Sequence, residues 1–148
     1  MGRGAGQSVK ALRGVALVAL ALSLTARPGF SQETGPSGEP IPVPSGVTVR
    51  WFETLRDSQG SAGLTLRFRF VAPEVAAPGY DPDKAAADLQ ALCDGYVLPR
   101  VPMMGPQPAE LVLDLADRVV PFGEANEAAV QFFEAYSVAD GACVWEFY

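Results

Sequence analysis

The clearest alternation of apolar and polar positions covers residues 64–71. Leu64, Leu66, Phe68 and Phe70 fall on one side and Thr65, Arg67 and Arg69 on the other, the period of a half-buried β-strand. A second alternation at 47–55 sets Val47, Val49 and Trp51 against Thr48, Arg50 and Phe52. The polar, glycine-bearing stretch 56–63 between the two predicts a hairpin. Residues 109–115 predict a further strand with Leu111, Leu113 and Leu115 inward and Val112 and Asp114 on the other side. A C-terminal hairpin is predicted where 131–138 and 142–148 flank Asp140-Gly141, a dipeptide suited to a two-residue turn. That turn pairs Val138 with Cys143 and Tyr136 with Trp145.

The period lengthens at 81–95. Asp81 can cap a helix, Pro82 suits its first position, and Asp83 favours the positive end of its dipole. Ala85, Leu89, Leu92, Cys93 and Tyr96 then line one apolar stripe, and Gly95 can supply a left-handed closing residue. The four prolines of 96–108 predict an irregular crossing. A short apolar piece at 119–122 and one or two helical turns at 124–130 are expected before the last hairpin. The order predicts an α+β domain over 47–148: an antiparallel sheet built from N- and C-terminal hairpins, one main helix packed on a face, and a single disulfide.

Two segments precede that domain. Residues 1–31 hold Arg3, Lys10, Arg13 and Arg27 with no carboxylate, an apolar run from Gly14 to Leu24, then small residues up to Ser31. This is the order of a cleavable signal peptide, with cleavage expected before Gln32; a retained N-terminal anchor is the alternative. The apolar run is about half the ~20 residues a permanent span needs, so no stable membrane span is expected after cleavage. Residues 32–46, rich in Pro, Gly and Ser, are expected to form no ladder and to act as a flexible leader, whose end, where Ile41 and Val43 alternate with prolines, can lie extended along the domain edge.

Export changes the reading of charge and cysteines. All 17 carboxylates lie beyond residue 31, against seven Lys and Arg, for a net charge of −10. That repels nucleic acid and anionic lipid. Cys93 and Cys143, the only cysteines, both fall in the exported part. In a periplasmic or secreted protein two such residues usually pair, with two buried free thiols as the alternative.

The strings Ile41-Pro-Val-Pro-Ser-Gly46, Leu66-Arg-Phe-Arg-Phe-Val-Ala-Pro73, Ala87-Asp-Leu, Pro121-Phe-Gly123, Phe132-Phe-Glu-Ala-Tyr136 and Asp140-Gly-Ala-Cys-Val-Trp-Glu146 resemble a family of small uncharacterised exported proteins of alphaproteobacteria, classed as a domain of unknown function. The resemblance implies compartment and architecture and adds no site.

Candidate chemistry is sparse. The chain has no His, which removes Ser-His-Asp and Cys-His catalysis and His-based zinc sites. Two cysteines build neither a zinc cluster nor an iron–sulfur site, phosphate-cradling Gly motifs are absent, and no cofactor is expected. Asp81, Asp83 and Asp88 hint at calcium but lack the rest of a twelve-residue loop; a helix start accounts for them. Trp51, Trp145, Phe132, Phe133, Tyr136 and Tyr148 make either a core or a recognition patch. Arg50, Arg67 and Arg69 predict a basic stripe across paired strands, able to receive a carboxylate by forked hydrogen bonds. The expected function is a non-enzymatic binding or interaction module for an envelope protein or small anionic ligand. The alternative is a carboxylate-based hydrolase of envelope sugars using Asp114, Asp117 or Glu134.

Overall fold

In the computed structural model, which describes residues 1, 2, 4, 36–60 and 63–147, six strands form one sheet. The expected apolar export segment, its cleavage point and Tyr148 lie outside the described residues. Strands β1 (Ser37–Ile41), β2 (Val49–Gly60), β3 (Gly63–Val71), β4 (Glu110–Ala116), β5 (Gln131–Ala139) and β6 (Ala142–Trp145) lie side by side in that order.

The sheet is mixed, which corrects the expectation of an antiparallel one. β3 and β4 run parallel, from Thr65 beside Glu110 to Val71 beside Ala116, and the other neighbours run antiparallel. The chain leaves β3 through a tight turn at Pro73–Ala76, crosses one face as α1 (Pro82–Leu92), and returns through a 3-10 turn at Val101–Met104 to the end where β3 began. A crossover of this length carrying a helix joins parallel strands. The contact is sealed at both ends, by Ala109 N–H to the Leu64 carbonyl and Ala72 N–H to the Ala116 carbonyl, each at 2.8 Å.

A second correction concerns the leader. Ser37–Ile41 adds an edge strand, pairing Ser37 with Trp51 and Ile41 with Val49, where no ladder was expected. Proline is tolerated there because an edge strand need not donate on its open side. Asp88 fastens the turn that follows. Fully buried on α1, it accepts from Ser45 N (2.9 Å), Ser45 Oγ (2.5 Å) and the Tyr80 hydroxyl (2.9 Å).

Leu66, Phe68, Phe70, Leu111, Leu113, Leu115 and Tyr136 project from the sheet towards Leu89, Leu92 and Val97 and form the core. Asp81 caps α1 through Lys84 N at 2.9 Å. The helix does not close on a left-handed Gly95. It widens into a π-helical turn, Cys93–Val97, that carries Tyr96. Cys93 and Cys143 are bonded, joining this turn to β6. Along β6 the expected pairs Val138–Cys143 and Tyr136–Trp145 form, and in the turn before it Asp140 and Gly141 both take positive φ, 52° and 76°. Residues 117–130, expected to hold a short apolar piece and helical turns, contain neither strand nor helix and lay Val120 over the second face of the sheet.

Candidate functional site

Each face of the sheet carries a recess. On the face away from α1, Arg69 is almost fully buried. Its Nε donates to Asp114 Oδ2 at 2.9 Å, its Nη1 pairs with Glu53, and its Nη2 donates to the Val120 carbonyl at 2.5 Å. The register requires this, because Arg69 stands between Glu53 of β2 and Asp114 of β4. Arg67, two residues back on the same strand, sits with its guanidinium 5.6 Å from the Phe122 ring centroid. Arg50 donates from Nη1 to the Gly38 carbonyl of β1. The three arginines share a face, yet they form no open basic stripe: Arg69 is enclosed by its carboxylates and Arg50 helps hold the edge strand.

The carboxylates of the hydrolase reading are separated by the sheet. Asp114 is opposite Phe133 and Glu134 opposite Leu113, so the Asp114 and Glu134 side chains leave from opposite faces. Glu134 accepts from the Tyr136 hydroxyl on the core side. Asp117 is held by Arg118 (Nη2 at 2.6 Å) and by Val130 N–H (3.0 Å) in closing the 117–130 loop.

On the helix face, β1, the end of α1 and the π-helical turn enclose a cleft of about 520 Å³. Trp51, Ile41 and Pro40, with the Glu39 carboxylate beside them, form one wall; Ala91, Gly95, Tyr96 and Arg100 form the other. A hollow of about 200 Å³ continues past Trp51, Tyr96 and Arg100 towards Thr54 and Met104. The rings are held from behind. Trp51 Nε1 donates to Thr54 Oγ1 at 3.0 Å, and Tyr96 meets Phe70 edge-on with centroids 5.6 Å apart. The Arg100 guanidinium lies 3.6 Å from the Tyr96 ring centroid while Nη1 donates to the Tyr96 carbonyl at 2.7 Å. Among the described residues no carboxylate comes within ion-pair distance of Arg100. A cation stacked on an aromatic ring, in a cleft whose only other charged lining residue among those described is Glu39 of β1, is equipped to take an anionic group beside a flat or apolar one.

A model of a family of unknown function, DUF6497, matches residues 20–148. The chain belongs to DUF6497. Neither a curated protein nor a solved structure matches it. The DUF6497 match takes in every residue of both recesses and both disulfide cysteines.

Sequence reasoning missed Tyr96 and Arg100 as site residues. The only local signal was an aromatic residue followed four positions later by an arginine, the spacing of neighbours on a helix, and the prolines from Pro99 onward argued against reading a helix there.

Proposed function

We propose that this chain is an exported, non-enzymatic binding module that receives a small anionic ligand or an acidic partner segment in the Trp51–Tyr96–Arg100 cleft. The observation that carries the reading is Arg100, oriented by the Tyr96 ring and carbonyl yet facing the cleft of about 520 Å³ without an ion-paired carboxylate among the described residues. A ligand carboxylate would find the paired donors of a guanidinium there, with Trp51 and Tyr96 to cover its apolar part.

Export to the periplasm or beyond is supported by the basic–apolar–small order of residues 1–31 and by the Cys93–Cys143 bond, which persists in oxidising compartments. Among the described residues no helix is long and apolar enough to cross a membrane. The arginine pair of β3 acts differently in this reading: Arg69 organises the opposite face and Arg67 borders a second recess.

The test is affinity selection with the purified protein against a low-molecular-weight extract of the host envelope, read by mass spectrometry. Arg100→Met removes the cation. Gly95→Leu fills the cleft from a position where an added Cβ meets nothing within 4 Å. Anionic species retained by the wild type and lost by both variants support the cleft; equal retention by all three proteins refutes it. The intact mass of the protein recovered from the periplasm tests export, with a chain beginning at Gln32 expected.

A further inference from the structure

The recess on the face away from α1 is a separate site with an unmet chemical demand. Asp114 is 2% exposed. Its Oδ2 accepts from Arg69, but its Oδ1 is buried without a hydrogen-bond partner among the described residues. Buried acceptors are paired in nearly all folded proteins, so an orphan calls for an explanation. Asp114 lines a recess of about 220 Å³ bordered by Arg67, Phe122, Glu124, Gln131 and Phe133. That volume is below the range of drug-sized pockets and suits a fragment. Phe122 and Phe133 are more than half exposed at its mouth.

The charge balance selects the fragment. Arg69 faces two carboxylates, Asp114 and Glu53. Arg67 adds a cation and Glu124 another carboxylate, so that among the described residues, with Glu53 counted behind Arg69, three carboxylates stand against two cations. Burial pushes the Asp114 carboxyl above its ordinary range, against the opposing pull of Arg69 first, then Arg67 and the side-chain amide of Gln131, which also lines the recess. The Phe122 ring already attracts one cation, the Arg67 guanidinium.

We infer that this recess binds a primary ammonium group on a short apolar stem, the ammonium donating to Asp114 Oδ1 and the stem lying against Phe122 and Phe133. An ammonium supplies the missing donor and cancels the excess charge, and aromatic walls favour it over a neutral donor. The group belongs to a free amine or to a lysine side chain of a partner.

The test is a ¹H–¹⁵N NMR titration of the whole protein with n-butylammonium chloride, n-butanol, sodium chloride and Nα-acetyl-lysine-N-methylamide. Saturable shifts of the Gly123, Gln131 and Phe133 amides with butylammonium, and none with butanol or sodium chloride, are expected. Asp114→Asn weakens binding at least tenfold. Should that variant fail to fold, Phe122→Ala changes an exposed ring and is expected to weaken binding about threefold. Acetyl-lysine amide binding as tightly as butylammonium assigns the site to a protein partner; butylammonium binding alone assigns it to free amines. No saturable shift with either ammonium probe, or equal shifts with butanol, overturns the proposal and leaves Oδ1 to solvent or a proton. Unchanged affinity in Phe122→Ala overturns it as well.

Discussion

Asp94 stands in for a neighbouring strand beside Cys143. Its Oδ1 accepts the Cys143 backbone N–H at 3.0 Å, while Gln90 Nε2 donates to the Cys143 carbonyl at 3.1 Å and to Asp94 Oδ2 at 2.8 Å. The end of α1 thus covers the open edge of β6 at the residue through which the disulfide ties the two together. An uncovered edge presents unpaired backbone groups to other chains.

Replacing Asp94 by Ala leaves the part-buried Cys143 N–H without its acceptor. A loss of about 1–2 kcal/mol is expected by urea unfolding, with faster hydrogen exchange confined to the Cys143 amide and its neighbours. An unchanged exchange rate there would show that the carboxylate does not protect the edge.

The disulfide closes a loop of 50 residues. Chain-entropy reasoning assigns such a cross-link about 4 kcal/mol. The Cys93→Ser/Cys143→Ser protein is expected to lose stability of that order in denaturant. Fast proteolysis should appear first in the π-helical turn Cys93–Val97, which would be released from β6.

Arg69→Met removes the cation between two carboxylates, one of them buried. Breaking such a cluster from one side costs about 3–5 kcal/mol. In the double variant Arg69→Met/Asp114→Leu most of that loss is expected to return, because the buried charge leaves with its partner. Glu53 is a third exposed and keeps its hydration. Equal unfolding midpoints for the single and double variants would contradict this account.

Asp117 and Asp114 respond to acid with opposite signs. Arg118, followed by the Val130 backbone N–H, holds the Asp117 carboxyl below its ordinary range. Its contribution is therefore complete above the unfolded pKa of about 3.9 and is lost as the pH falls through the depressed folded value. Burial raises the Asp114 carboxyl, so the folded form binds that proton more tightly than the unfolded form. Stability from Asp114 grows as the pH falls through its folded pKa towards the unfolded value. Urea unfolding from pH 7 to 3 checks both. The advantage of wild type over Asp117→Asn should shrink at the acid end, while wild type gains on Asp114→Asn over the range above pH 4.

Local pattern alone determined the elements whose information is local. The alternation at 64–71, the Asp81-Pro82 helix start and the Asp140-Gly141 turn each act through backbone geometry within a few residues. They yielded β3, α1 and the Tyr136–Trp145 register. The lack of His and the count of two cysteines excluded His-dependent triads and cysteine-built metal clusters from composition. Tertiary structure decided the rest, because it depends on which segments meet. Alternation is the same in parallel and antiparallel strands, so the β3–β4 direction emerged only from the path of the crossover over the sheet. Prolines hid β1, since an edge strand asks less of backbone N–H groups than an interior one. The fate of the arginines was also a matter of register. Arg69 is enclosed because Glu53 and Asp114, 16 residues before it and 45 after it, arrive on either side of it. Arg100 and Trp51 border one cleft only because the end of α1 widens beside the edge of the sheet.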